Sequence, residues 1–229
     1  MQIGSTEWED IIIRGARIFD VQIGSKEAGQ FSTHAGELIK WNSKINLTAI
    51  TDPLEVAVKH FLDSLAPARI IPAGSAMLDM GSGGGFPGIP LKVVLPSISV
   101  SMVDSSRKKI SFLKHVIRTL GLESINACQV RVENLPENRE RFDVVICRAF
   151  SSLDKFIELA LPVLAENGIM IALKGKMSYN EIESARIYEN KKLSEGLLYH
   201  TEVIKYSLPY IDSERTMLIM RRNNGSSPD

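Results

Sequence analysis

At 229 residues the chain is long enough for one sizeable domain, or a domain with a modest appendage, and too short for two independent enzyme domains. Its 44 % hydrophobic and 24 % charged residues exclude disorder, collagen-like repeats and a disulfide scaffold. Twenty-seven basic residues balance twenty-seven acidic ones, so a nucleic acid or an acidic membrane would have to be met by a local patch rather than by a long-range field. Cys128 and Cys147 are too few for a disulfide framework or a four-thiolate zinc site, which fits a reducing, cytoplasmic setting. No basic start followed by an apolar run opens the chain, and no segment approaches the roughly 20 apolar residues that span a bilayer.

In chain order, the first 70 residues read as helical. Leu54, Val58, Phe61, Leu62 and Leu65 fall on one helix face, with Asp52 as N-cap, Pro53 at the first helical position and Glu55 three residues after the cap. The composition shifts near Ile71-Pro72-Ala73-Gly74, and from there strands and helices alternate. Strands are predicted at Met77–Met80, Ser97–Val103, Ile125–Val132, Phe142–Cys147 and Gly168–Leu173, with a terminal pair near Thr201–Ser207 and Arg215–Met220. Short apolar runs separated by helix-period segments require right-handed crossovers and build a parallel sheet. One such crossover helix carries Ile110, Leu113, Val116, Ile117 and Leu120 on its apolar face and ends at Gly121, a left-handed cap. Ser178 with Glu181 makes a capping box, and the turn Pro209–Ser213 suggests that the last two strands form an antiparallel pair closing the sheet edge. These signals divide the chain into a helical extension (1–70), an α/β domain (71–222) and a frayed tail (223–229).

The densest chemical signal is Leu78-Asp79-Met80-Gly81-Ser82-Gly83-Gly84-Gly85-Phe86-Pro87-Gly88, five glycines directly after an apolar strand. In an open parallel sheet that place is the crevice at the carboxyl ends of the strands, where ligands dock. Gly83-x-Gly85-x-x-Gly88 formally matches the dinucleotide fingerprint of a nicotinamide-dependent oxidoreductase, but Pro87 and Pro90 crowd the helix that must open at once to hold a pyrophosphate. The acid-led reading, Asp79-x-Gly81-x-Gly83-x-Gly85, suits a nucleoside carrying an amino acid and a sulfonium, and favours S-adenosylmethionine. Asp104, at the end of the next strand, is placed to accept ribose hydroxyls in either case, and can also cap the helix that follows. Glu133 follows the third strand, where an adenine edge would lie.

Methyl transfer from a sulfonium needs an in-line lone pair and no obligatory acid-base pair, least of all at a ring nitrogen such as guanine N7. No Asp/Asn-Pro-Pro-aromatic run follows the fourth strand, against methylation of an exocyclic amine. In that slot stands Ile146-Cys147-Arg148-Ala149-Phe150. Cys147 is a possible nucleophile for carbon-5 methylation of a pyrimidine but lacks a preceding proline and a second positioned cysteine. Arg148 must find an anion, a carboxylate or a base; Lys174 ends the fifth strand beside Gly175, where a phosphate contact fits. Arg107, Lys108, Lys109, Lys114 and Arg118 gather on one helix, either a solvated face or an RNA contact. Four histidines, His34, His60, His115 and His200, are scattered without metal spacing and read as structural.

These residues resemble a known family, the bacterial 16S ribosomal RNA guanine-N7 methyltransferases, also called glucose-inhibited division protein B. The resemblance runs from about Leu38 to Arg221 and is carried by Trp41-Asn42-x-Lys44-x-Asn46-Leu47-Thr48-Ala49-Ile50, His60-Phe61-Leu62-Asp63-Ser64, the glycine loop through Leu91, Arg131-Val132-Glu133, Arg148-Ala149-Phe150, Leu173-Lys174-Gly175 and Glu214-Arg215. It implies a class I S-adenosylmethionine-dependent methyltransferase fold: Rossmann-like, a mostly parallel seven-stranded sheet with a C-terminal antiparallel strand, behind a helical N-terminal extension. It further implies methyl transfer to N7 of one guanine, known as position 527, on 16S ribosomal RNA or a small-subunit particle, by a monomer without membrane attachment. On the family pattern Asp79, Gly81, Gly83, Gly85, Phe86, Asp104, Val132, Glu133 and Arg148 would bind the cofactor, Arg148 and Lys174 would serve catalysis, and Asn46, His60, Lys174 and Arg215 would surround the substrate mouth, with no metal. Gly84 stands where that family often has alanine or proline, Cys147 where a small polar residue is common, and residues 1 to about 30 match no part of the pattern.

Overall fold

A computed structural model describes residues 1–135, 141–148, 152–177 and 198–223. Seven strands form one sheet: β1 (Ala76–Met80), β2 (Ser99–Asp104), β3 (Ile125–Gln129), β4 (Phe142–Arg148), β5 (Leu164–Lys174), β6 (Leu198–Ser207) and β7 (Glu214–Asn223), in the order β3-β2-β1-β4-β5-β7-β6. The first five run parallel, and β7 is antiparallel to both of its neighbours. The order reverses between β1 and β4, the switch point at which open α/β sheets take their ligands.

Alternation along the strands builds two cores. Met77, Met102, Val144, Ile146, Ile171 and Ile219 face one layer of helices, while Leu78, Met80, Val103, Val145, Met170 and Leu218 face the other. The first layer holds α1 (Thr6–Ala16), α2 (Ser25–Asn42), α5 (Gly88–Val94) and α6 (Arg107–Thr119); the second holds α7 (Leu153–Ala160). The N-terminal helices therefore share their apolar core with the sheet. Trp8 of α1 is fully buried, donates its indole N–H to the Pro53 carbonyl at 2.8 Å and meets Phe61 edge-on, so the residues that matched no pattern are anchored by a hydrophobic plug with a satisfied polar tip.

Asp52 caps the next helix through a bond from the Glu55 amide to its carboxylate, as the sequence suggests. That helix is not uniform: α3 (Pro53–Glu55) and α4 (Asp63–Leu65) flank a π-helical stretch, Val56–Leu62. Helix α6 follows its predicted face, with Ser106 as N-cap and Gly121 at φ +60° after it. Two expectations are corrected. Strand β3 ends at Gln129 rather than Val132, because Val132–Asn134 turn into a 3-10 segment. Strand β5 starts earlier, at Leu164. The terminal pair is antiparallel and closes the sheet edge as expected, with β7 against β5 and β6 outermost. The Ser178–Glu181 capping box, Ala149-Phe150 and the tail from 224 onward lie outside the described residues. Among those described, no helix is long and apolar enough to cross a membrane and no group of three or more His, Cys, Asp or Glu could hold a metal ion.

Candidate active site

Strand β1 delivers the chain into the glycine loop at the switch point. The amides of Gly81 and Ser82 donate to the Val103 carbonyl at 2.9 and 3.2 Å, which ties the loop to the end of β2. The Gly83 amide donates to Asp104 Oδ2 at 3.2 Å, and the Ser106 amide to Oδ1 at 2.8 Å. Asp104 is 7 % exposed and has Lys109 Nζ 3.7 Å away, so its carboxylate is fixed at the back of a cleft of about 740 Å³. Gly81, Val132 and Glu133 also line that cleft, the last two from the 3-10 turn after β3. Gly81 sits at φ +75° and an added Cβ would meet nothing within 4 Å; a side chain there would stand in the space a ligand needs.

Asp79 departs from its expected place. It is fully buried beneath the loop rather than on its surface, where it accepts the Gly88 amide at 3.0 Å through Oδ2. Burial pushes its carboxyl up to about 7, and Oδ1 has no hydrogen-bond partner among the described residues. A Cβ on Gly88 would lie 2.6 Å from that carboxylate, which is why glycine is required there. Asp79 thus acts on the loop's shape instead of touching a ligand. Its bond also decides between the two readings of the glycines. The first amide of α5 is taken by a carboxylate and that helix is buried from Gly88 to Val93, so it cannot present its N-terminus to a pyrophosphate.

Phe86, expected to line the cofactor side, is 3 % exposed and packs inward. Its ring is stacked with His34 (centroids 4.8 Å apart) and with His60 (4.6 Å), and the guanidinium of Arg148 lies 4.9 Å from its centre. Gly85 also faces the core: a Cβ there would meet Ile89 at 2.6 Å.

Arg148 ends β4 next to the loop, because Met80 pairs with Cys147 in the sheet. It donates to the Lys59 carbonyl at 3.0 Å and to His60 Nδ1 at 3.2 Å. A guanidinium has only donors, so Nδ1 must be the bare nitrogen; His60 then carries its proton on Nε2 and donates it to Thr48 Oγ1 at 2.8 Å. Burial, reinforced by the Arg148 charge, pushes the imidazole down to about 3, which keeps it neutral. His60 forms part of the wall of a second cavity of about 300 Å³, together with Ile50, Lys59, Asp63, Arg148, Lys174 and Arg215. Both its ring nitrogens are engaged within the protein, so it orients Arg148 and the loop before α3 instead of offering a free group to substrate.

Lys174, at the end of β5, and Arg215, at the start of β7, reach the same mouth. Arg215 Nε is 3.6 Å from Asp63 Oδ1, and the Tyr206 hydroxyl donates to the same oxygen at 2.8 Å. Burial pushes the Asp63 carboxyl up, opposed by Arg148, Tyr206 and Arg215; burial and the Asp63 charge push the Tyr206 phenol up as well. Asn46 is exposed and absent from the wall of this cavity; it is Asn42 that shapes the loop, accepting the amides of Leu47 and Thr48 and donating to the Thr48 carbonyl. Cys147 is 1 % exposed within the second core, which removes it as a pyrimidine nucleophile. Thr48, Lys59, Asp63 and Tyr206 are the participants that sequence reasoning missed; two of them stood inside quoted motifs without an assigned role.

A family model described as "GidB: rRNA small subunit methyltransferase G" matches residues 27–221. The chain belongs to this family. Ribosomal RNA small subunit methyltransferase G of Geobacter metallireducens is 40 % identical over 221 residues, 96 % of this chain and 99 % of that one. The protein of the same name from Geobacter sulfurreducens is 42 % identical over 209 residues, 91 % of this chain and 94 % of that one. Among solved structures, a SAM dependent methyltransferase from Aquifex aeolicus superposes with a TM-score of 0.54 at 16 % identity, covering 81 % of this chain and 97 % of that one. TYW2 of P. horikoshii in complex with MeSAdo gives 0.57 at 15 %, covering 70 % and 61 %. The structural likeness establishes the class I methyltransferase fold. This member of the rRNA small subunit methyltransferase G family is a methyltransferase of small-subunit ribosomal RNA, with S-adenosylmethionine as methyl donor.

Proposed function

We propose that the chain methylates N7 of a single guanine of 16S ribosomal RNA, the one known as position 527, as a cytoplasmic monomer. The observation that carries this reading is the adjacency of the two cavities. The Met80–Cys147 register puts Gly81, on the cofactor cleft, beside Arg148, on the cationic mouth. The cleft fits its cofactor: the Asp104 oxygens retain lone pairs for ribose hydroxyls after accepting two amides, and Gly81 leaves the floor open.

S-adenosylmethionine supplies an electrophilic methyl group on a sulfonium. The rest is positional. Guanine N7 carries a lone pair and no proton, so no general base is needed, and holding reactants in line supplies roughly 7–11 kcal/mol of barrier lowering. A cation donating to N7 itself would quench the nucleophile. Arg148, Lys174 and Arg215 therefore serve the guanine O6 edge and the flanking phosphates. Arg148 suits such work because the Lys59 carbonyl, His60 and the Phe86 face fix its guanidinium before any substrate arrives. Arg107, Lys114 and Arg118 recur at helical spacing on the exposed face of α6 and offer a track for RNA phosphates.

The test is chemical cleavage at N7-methylguanine in 16S RNA from cells with and without the gene, followed by remethylation in vitro of both naked RNA and 30S particles. A single gene-dependent cleavage, restored by the protein with S-adenosylmethionine, is expected. Label appearing on another base, or no difference between the strains, would end the N7 assignment.

A further inference from the structure

The glycine loop is held by a residue from the N-terminal helices. Helix α2 of the N-terminal extension lies against it: His34 Nε2 is 2.8 Å from the Gly84 carbonyl, the imidazole is stacked with Phe86, and an added Cβ on Gly84 would lie 3.0 Å from Leu38 Cδ1. His34 is fully buried. A carbonyl can only accept, so Nε2 carries the proton and donates it, while Nδ1 keeps a bare lone pair with no partner among the described residues. A buried polar atom left unmatched is costly, and the bond from Nε2 to the Gly84 carbonyl is what the ring offers in return.

Gly84 stands between the loop's two working contacts. On one side the Gly83 amide is bonded to Asp104 in the cofactor cleft; on the other, Phe86 lies under the guanidinium of Arg148 at the mouth. Fixing the Gly84 carbonyl fixes the neighbouring Gly83 amide and with it the bond to Asp104 in the cleft. We propose that His34 is a positioning residue for the methyl donor, acting through the Gly84 carbonyl to hold the glycine loop in its ligand-binding shape. The inference rests on reading the cleft as the S-adenosylmethionine site. It gives the N-terminal extension a part in cofactor binding and makes donor affinity sensitive to how α2 is seated.

The experiment measures S-adenosylmethionine Kd by calorimetry, KM for 30S particles from cells lacking the gene, and thermal midpoint, in the parent, His34→Phe and His34→Gln. Phenylalanine keeps a ring against Phe86 and removes the donor; glutamine restores an amide donor on a side chain of similar reach. The expected result is an S-adenosylmethionine Kd raised about tenfold in His34→Phe, with KM for particles within about twofold and His34→Gln within about threefold of the parent. Unchanged Kd in His34→Phe would overturn the proposal, as would a parallel loss of donor and particle affinity tracking the thermal midpoint. Should His34→Phe fail to fold, His34→Leu takes its place: it too fills the space without a donor, and an unchanged S-adenosylmethionine Kd in it, or a Kd in His34→Gln no closer to the parent's, overturns the proposal. A folded parent that binds no S-adenosylmethionine would instead remove the reading of the cleft, and the inference with it.

Discussion

The cleft at Gly81 and Asp104 and the cationic mouth at Arg148 meet where Met80 pairs with Cys147, and they are built from different materials. The cleft is made largely of backbone: amides of Gly81, Ser82 and Gly83 are fastened to Val103 and Asp104 at the end of the neighbouring strand. The mouth is made of side chains from five elements, Thr48, His60, Asp63, Arg148 and Arg215, linked by hydrogen bonds and one long ion pair. Backbone fastened to a sheet gives a rigid surface that tolerates few substitutions but depends on few side chains. A buried polar network depends on every member, because removing one leaves its partner unsatisfied.

That contrast predicts a split between two substitutions. Arg148→Ala strips the mouth of its central cation and leaves the His60 Nδ1 lone pair without a donor; kcat/KM on 30S particles should fall about 10²–10³-fold, with S-adenosylmethionine Kd changed far less. Asp104→Ala removes the carboxylate that holds the Gly83 and Ser106 amides in the cleft and should weaken S-adenosylmethionine binding about 10–100-fold while particle affinity holds. Single-turnover rates at saturating donor separate the two. If Arg148→Ala weakened the donor as much as Asp104→Ala does, cleft and mouth would be one unit, and the distinction drawn between them would be lost.

The split also explains what could be read from the sequence. The cleft's floor is local: an apolar strand, five glycines and an acid at the end of the next strand lie within 28 residues from Met77 to Asp104, and their spacing states their geometry. Asp79 and Phe86 belonged to the same segment yet turned inward, because spacing does not say which face of a loop meets solvent. The mouth is not local. His60 looked like a scattered structural histidine because its partners, Thr48 and Arg148, come from a loop and from a strand 88 positions later. The π-helical stretch was invisible for a related reason: from Val56 to Leu62 all residues but Lys59 are buried, and a segment buried nearly all round carries little periodic signal of how tightly it is wound. Asn46 was favoured over Asn42 on resemblance, while the structure gives the loop's hydrogen bonds to Asn42.

A second prediction sharpens the account of the mouth through pH. His60 and His34 stay neutral in the folded protein down to about 3 and about 4, whereas both titrate near ~6.5 when unfolded. Between those values the unfolded chain binds protons that the folded one does not, so both histidines make stability fall as pH falls. Asp79, held up at about 7, works the other way: the folded state keeps a proton the unfolded one has lost above ~4, so its contribution is lost as pH rises, and the raised Asp63 acts in the same sense. The net slope is the difference. Replacing His60 with Gln removes one histidine term, and the slope of unfolding free energy against pH should drop by about 1.2 kcal/mol per pH unit between pH 5 and 6. Urea unfolding at pH 5.0, 5.5 and 6.0 measures it; identical slopes in parent and variant would show that the ring is not held neutral by burial against Arg148.

The smallest effect expected lies farthest from the chemistry, on α6. Arg107, Lys114 and Arg118 are exposed along one line of that helix, whereas Lys109 turns toward Asp104 at the cleft. A solvated face and a phosphate track look alike in a static structure but differ in salt dependence, since each phosphate contact releases about 0.7–0.9 counterions. Lys114→Glu with Arg118→Glu should therefore reduce the slope of log affinity against log salt, for 16S RNA, by about 1.4–1.8, with S-adenosylmethionine Kd and single-turnover rate at saturating RNA unchanged. A slope identical to the parent's would assign these cations to solvent and confine RNA recognition to the mouth, where Lys174 and Arg215 flank Arg148; the next charge reversals to make would then be on Lys59 and Lys174, at the cost of perturbing catalysis together with binding.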